Sequence, residues 1–365
     1  MDLTIPEYIQ AIEPYEPGKP LEALEREYGI RDSIKLASNE NPLGPSPRAV
    51  EAIQSKMKDL HRYPDGGGHA LVDKLAVHLG VLPENIVLGN GSDEVIGMLN
   101  RALLAPGDQV IMPQPSFLMY EITARSVGAQ PVFVPLNDAL AIDLDAILDQ
   151  VSPRTRMIFL CNPNNPTGTI ITSSDLAVFL KALPSGVIVV IDEAYIEFVR
   201  DSHCAKGLDF FQSGFPVVTL RTFSKIYGLA GLRIGYGLMP VELANILHRI
   251  RQPFNAGTLA QVGATAALED EEYLRKTITL VHSGLDYLFD RLNRLGIGCF
   301  STQANFFLID VHEDADTVFK KMLAEGVIVR SMSSYGYPRY IRISVGLPQE
   351  NERFVAALAR VLKRN

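Results

Sequence analysis

Three regimes of hydrophobic patterning follow one another along the chain. Over residues 1–30 apolar positions are sparse: prolines between Ile12 and Pro20 hold the backbone extended, and residues 21–28 have helical spacing. A helix is expected over 48–58, with Ser46 as its cap and Pro47 at its first position. The loop Tyr63-Pro-Asp-Gly-Gly-Gly68 then precedes another helix starting near Ala70. From 85 to 268 short apolar runs alternate with helical stretches, and residues 86–88, 109–112, 130–134, 155–160, 187–191 and 217–220 read as strands. Runs such as Val187-Ile-Val-Val-Ile191 are apolar at every position, which implies strands covered on both faces. Separated by helices, such strands predict a mainly parallel α/β sheet. Beyond about 262 the pattern is helix-rich, with 272–295 one long amphipathic helix. Strands at 305–310 and 339–345 follow, flanked by helices at 314–325 and 349–363. The expected organisation is a large α/β domain over 31–262 and a smaller α+β domain over 263–365, completed by 1–30.

Composition narrows the class. A chain of 365 residues, 47% hydrophobic and 21% charged, suits a globular protein that buries a sizeable core. Its net charge of −8 offers no electrostatic reason to expect nucleic acid. No apolar run reaches the roughly 18 residues of a membrane span, and the N-terminus lacks the charged and apolar segments of an export signal, so a cytoplasmic location is expected. Cys161, Cys204 and Cys299 are widely spaced and odd in number, which argues against a disulfide framework and against a cysteine-rich metal site; no metal is expected.

In a parallel α/β sheet ligands gather at the carboxyl ends of the strands, so the residues just after each run carry the chemistry. After 86–88 comes Gly89-Asn-Gly-Ser-Asp-Glu94, where Ser92 or Asp93 would cap a helix, or Gly91 would let helix N-terminal amides approach a phosphate. After 155–160 comes Cys161-Asn-Pro-Asn-Asn-Pro-Thr-Gly168, a rigid turn. Asp192 ends the most apolar run of all, where a carboxylate is costly unless a cation pairs with it, and Tyr195 lies three positions on. The last run leads into Thr222, Ser224, Lys225 and Arg233 among Ile226, Leu229, Leu232 and Ile234. An amine in apolar surroundings loses solvation of its charged form and becomes a nucleophile or Schiff-base partner. Beside hydroxyls and a guanidinium suited to a phosphate, it meets the requirements of pyridoxal phosphate.

Each signal taken singly has an ordinary structural reading. In this order they resemble the fold type I, pyridoxal-phosphate-dependent aminotransferases, and the resemblance covers essentially the whole chain. It implies Lys225 as Schiff-base lysine and proton carrier, and Asp192 as the fixed charge that keeps the cofactor's ring nitrogen protonated. Tyr195 and Asn165 would meet the ring oxygen, and Phe117 would stack on the ring, without the hydrogen bond that a Trp or Tyr could donate. The phosphate would be held by Gly91, Ser92, Asp93, Thr222, Ser224 and Arg233.

A narrower resemblance, to histidinol-phosphate aminotransferase, rests on Pro14-Tyr-Glu-Pro-Gly-Lys-Pro20, Leu36-Ala-Ser-Asn-Glu-Asn-Pro-Leu-Gly-Pro45, Arg62-Tyr-Pro-Asp65, Gly326-Val-Ile-Val-Arg330 and Tyr340-Ile-Arg-Ile-Ser-Val-Gly346. It implies transfer of an amino group between L-glutamate or 2-oxoglutarate and L-histidinol phosphate or imidazole acetol phosphate, in L-histidine biosynthesis. It also implies a homodimer in which Tyr63 reaches the neighbouring subunit's cofactor phosphate. One arginine fork binds a carboxylate or a phosphate bidentately, so Arg342 would serve both half-reactions, with Arg330, Tyr15 and Asn165 beside it. Without the resemblance, Arg330 and Arg342 read as exposed strand-end charges. The alternatives on the same scaffold are an aromatic amino acid aminotransferase and a decarboxylase of a phosphorylated amino acid. A regulator carrying such a module would need a further DNA-binding domain, for which no residues are expected to remain. A nucleotide-binding protein is disfavoured because neither Gly-x-Gly-x-x-Gly nor a P-loop follows a strand.

Overall fold

The computed structural model describes residues 3–15, 24, 26–27 and 29–363. Residues 16–20 of the expected extended lead-in lie outside them; of the expected helix over 21–28, Leu24, Arg26 and Glu27 are described and are helical.

A seven-stranded sheet forms the centre. Its strands are β2 (Ile86–Gly89), β3 (Gln109–Gln114), β4 (Gln130–Pro135), β5 (Thr155–Cys161), β6 (Ile188–Asp192), β7 (Val217–Thr222) and β8 (Gly235–Leu238), a numbering that counts the short N-terminal β1 (Ile34–Lys35) first. They lie in the order β2-β8-β7-β6-β5-β3-β4. The pairs from β4 through β3, β5 and β6 to β7 are all parallel, whereas β8 runs antiparallel to both of its neighbours. The mainly parallel sheet is thus as the pattern predicts, with β8 added. Its Gly-Tyr-Gly-Leu sequence is short and glycine-rich and follows directly on the stretch that holds Lys225 and Arg233.

Alternation along the strands explains the unbroken apolar runs. On β5, Met157, Phe159 and Cys161 pack into the layer that contains Val95 and Leu99 from the Ser92–Leu103 helix, while Ile158 and Leu160 pack with Leu176 and Phe179 from the Ser173–Ala182 helix. Both faces exclude water, so both parities must be apolar.

The C-terminal unit has a second sheet, β11 (Arg330–Ser331), β12 (Tyr340–Ser344) and β9 (Phe306–Asp310), all antiparallel. The Glu271–Arg294 helix packs its apolar stripe, including Val281, Leu285, Leu288 and Leu292, into the largest core. Residues 34–36, in the span expected for the large domain, hydrogen-bond into this unit: β1 pairs in parallel with β10 (Val327–Ile328), and the Ser344 amide donates to the Leu36 carbonyl at 2.9 Å. That crossing segment continues to Asn39 and carries backbone from the small sheet to the carboxyl edge of the large one.

Candidate active site

The carboxyl ends of β5, β6 and β7 and the N-terminus of the Ser92–Leu103 helix converge on one cavity. Ser92, Asp93, Phe117, Asn165, Asp192, Tyr195, Thr222, Ser224, Lys225 and Arg233 all line it. A second cavity, lined by Tyr15, Arg330, Tyr335 and Arg342, shares Ser38, Phe117, Asn165, Tyr195 and Lys225 with the first. Ten sequence-predicted residues therefore meet in one place; of the four expected to handle substrate, Asn165 is among them, and Tyr15, Arg330 and Arg342 stand in the adjoining space.

Asp192 follows Ile191 on β6, and its parity places it on the layer that holds Val190 and Cys161. The carboxylate is 3% exposed, accepts a hydrogen bond from the Tyr120 hydroxyl at 2.7 Å and another from the Ala194 amide at 3.1 Å. Burial pushes its pKa up to about 6, against the Tyr120 hydrogen bond that lowers it. No cation pairs with Asp192 among the described residues.

Lys225 lies on the loop after β7, its amine donating to the Ser38 carbonyl at 3.2 Å and standing 5.6 Å from the centre of the Tyr195 ring. Burial, and next the Arg342 guanidinium, lower its pKa to about 8, so a useful fraction is neutral near physiological pH. Tyr195 is buried, and its hydroxyl receives a hydrogen bond from Asn39 at 3.0 Å.

The opposite end of the cavity is a cradle of donors. Gly91, with φ +78, is the residue before the Ser92–Leu103 helix, whose first-turn residues Ser92 and Asp93 line the cavity, and the first amides of a helix have no partner within it. Arg233 reaches Ser224 Oγ at 3.4 Å and Asp93 at 3.4 Å from a left-handed backbone, φ +54, a conformation that costs a non-glycine residue energy and recurs at binding sites. The packing requires glycines: a Cβ on Gly91 would stand 2.6 Å from Arg233 Nη2, and one on Gly235 2.5 Å from the Ser92 amide nitrogen.

Arg330 and Arg342 face each other across the β11–β12 ladder. Arg342 is buried, not the exposed strand-end charge that its position alone suggests. Its Nη1 donates to Asn165 Oδ1 at 2.5 Å, its Nη2 to the Ala37 carbonyl at 2.7 Å, and its guanidinium lies 5.3 Å from the centre of the Phe306 ring. Its Nε has no hydrogen-bond partner among the described residues. Asn165 thus bridges the two cavities through Arg342. Tyr63 stands apart, 82% exposed and stacked on Phe254 at 4.7 Å, away from the cavity of its own chain.

The model of the family described as aminotransferase class I and II matches residues 31–358. Relatives named histidinol-phosphate aminotransferase from Desulfotalea psychrophila and Moorella thermoacetica are 49% and 45% identical, covering 100% and 98% of this chain and 96% and 92% of their own. The chain belongs to the class I and II aminotransferases, among the histidinol-phosphate aminotransferases. The aminotransferase also superposes on the crystal structure of histidinol-phosphate aminotransferase from Sinorhizobium meliloti in complex with pyridoxal-5'-phosphate, with a TM-score of 0.90 at 29% identity, covering 98% of this chain and 97% of that one.

Three site residues of the aminotransferase escaped the sequence reading. Tyr120 stacks on Phe159 at 4.6 Å with its ring nearly parallel, which aims its hydroxyl at Asp192. Its signal was its place three residues after Phe117 at the start of the Met119–Arg125 helix. Asn39 and Tyr335 carried no comparable signal, because each acquires its role from contacts distant in sequence. No helix among the described residues is long and apolar enough to cross a membrane, and no metal-binding cluster occurs among them.

Proposed function

We propose that this aminotransferase moves an amino group between L-glutamate and imidazole acetol phosphate, forming L-histidinol phosphate and 2-oxoglutarate, with pyridoxal phosphate bound in the first cavity. The residues fit that group. Asp192 is a buried carboxylate with no cation beside it among the described residues, and a protonated ring nitrogen would supply one; the helix amides after Gly91, with Thr222, Ser224 and Arg233, suit a phosphate dianion. When bound, pyridoxal phosphate supplies an aldehyde that condenses with amines and a ring that accepts the electron pair left as a substrate C–H bond breaks.

The chain's own residues do the rest. Lys225 Nζ, with a pKa near 8, is the nucleophile that holds the cofactor and afterwards the base that carries the proton taken from the substrate's amine-bearing carbon. Asp192 would hold the ring nitrogen's proton, Tyr195 would meet the ring oxygen, and Phe117 would cover a ring face.

The observation that carries the substrate assignment is the Arg330–Arg342 cross-strand pair opening onto Lys225, with Arg342 desolvated and its Nε unpartnered among the described residues. Glutamate offers a carboxylate and histidinol phosphate a phosphate, and one guanidinium binds either. The same reading takes the protein as a cytoplasmic homodimer, with exposed Tyr63 reaching the neighbouring site. Activity with 2-oxoglutarate as acceptor should be measured with histidinol phosphate and with phenylalanine under matched conditions. Preference for histidinol phosphate is expected; preference for phenylalanine would sink the assignment in favour of an aromatic amino acid aminotransferase.

A further inference from the structure

Tyr195 is held by a buried chain of hydrogen bonds that the reaction itself does not use. Asn39 lies on the segment crossing from the small sheet, 2% exposed and in the left-handed region with φ +54, which asparagine tolerates better than most residues. Its backbone amide donates to Ser344 Oγ at 2.8 Å, the Ser344 hydroxyl donates back to Asn39 Oδ1 at 3.0 Å, and Asn39 Nδ2 donates to the Tyr195 hydroxyl oxygen at 3.0 Å. Asn305 Nδ2 donates to the Asn39 carbonyl at 3.1 Å.

Counting donors and acceptors fixes the direction of this chain. Ser344 Oγ already accepts the Asn39 amide, and its hydroxyl proton has Asn39 Oδ1 as its acceptor. Reversing the Asn39 side-chain amide would leave that buried proton unpaired, at the cost of an unmade buried hydrogen bond. Asn39 must then present Nδ2 to Tyr195, and the phenol oxygen must accept. The Tyr195 hydroxyl proton is left to point elsewhere, and the phenol borders both cavities beside Lys225.

We infer that Ser344 and Asn39 are positioning residues that set Tyr195 as a hydrogen-bond donor into the active-site cavity. The small sheet, through Ser344 on β12, thereby fixes the proton direction of a tyrosine just beyond the end of β6. The inference rests on the proposed cofactor only for its functional effect. A phenol that receives a hydrogen bond is a stronger donor, so it draws negative charge from a ligand oxygen more effectively. Without Asn39 that oxygen keeps more charge and holds nearby protons more tightly.

The test uses Asn39→Ala, Ser344→Ala and Tyr195→Phe. In the cofactor-free protein labelled with ¹³Cζ-tyrosine, the Tyr195 resonance, assigned by its loss in Tyr195→Phe, should move in both Asn39→Ala and Ser344→Ala. In the cofactor-loaded protein, the pH midpoint of the bound cofactor's visible absorption should rise by about half to one unit in each, the size of one neutral hydrogen bond. Tyr195→Phe should abolish the further effect of Asn39→Ala. An unmoved Tyr195 resonance in folded Ser344→Ala would overturn the inference, as would an Asn39→Ala shift that persists undiminished in Tyr195→Phe. A protein that takes up no cofactor would defeat the functional reading, while the cofactor-free resonances still decide on Asn39.

Discussion

Asp192 and Glu193 are consecutive, both acidic and both buried, and they occupy opposite sides of the end of β6. Glu193 is answered within the chain. Arg221 on β7 meets its Oε2 with Nη2 at 2.8 Å and Nε at 2.9 Å, and the Gly207 amide donates to its Oε1 at 2.5 Å. That fork ties β6 to β7 and to the start of the Gly207–Gln212 helix. Among the described residues Asp192 receives only a phenol and an amide, and its pKa climbs to about 6. A buried carboxylate costs several kcal/mol unless a cation accompanies it. On one face of the strand end the fold supplies that cation and gains a joint; on the other it does not, and the carboxylate is held ready for a ligand's positive charge. The unanswered carboxylate, rather than the better-bonded one, marks the site.

Substitutions can break or sharpen this contrast. The largest loss should come from Lys225→Ala, which leaves both carboxylates intact and removes the nucleophile and proton carrier. Transamination should fall by about 10⁴-fold or more, with cofactor absorption lost, as read by steady-state rates and visible spectra.

Asp192→Asn should lower kcat/KM by about 10²-fold or more and weaken cofactor uptake, while stabilising the cofactor-free protein. The sign follows from the raised pKa: between the ordinary carboxylate range and about 6 the folded protein binds the proton more tightly than the unfolded chain, so this group's contribution falls as pH rises. Denaturation of the cofactor-free wild type and Asp192→Asn from pH 4 to 7 should show the variant gaining on the wild type by up to ~3 kcal/mol. A constant difference across that range would show that Asp192 carries no burial cost.

Glu193→Gln should do the reverse. Leaving Arg221 half-answered should destabilise the protein by about 3–5 kcal/mol in denaturant, with kcat little changed. A large kcat loss with unchanged stability would erase the distinction between the two carboxylates.

The parallel sheet was legible because burial on both faces leaves its mark in consecutive Val and Ile residues, and the site was legible because such sheets gather ligands at their carboxyl ends. Asp192 and Lys225 stood out as charges where their neighbours are apolar. β8 was missed because Gly235-Tyr-Gly-Leu238 is too short and glycine-rich to read as a strand; it pairs only because β7 and β2 lie on either side of it. Asn39 looks like any loop asparagine until the fold brings it to Ser344, 305 positions away. The burial of Arg342 was equally hidden, since it depends on Ala37 and Asn165 from other elements.

The central claim is that the loop after β7 presents Lys225 as the amine that carries the cofactor. Incubating the protein with pyridoxal phosphate, reducing with borohydride and mapping the mass-labelled peptide tests it most directly. The label is predicted on Lys225 and should vanish from the digest of Lys225→Ala; stoichiometric labelling of another lysine, or none at all, would contradict the account.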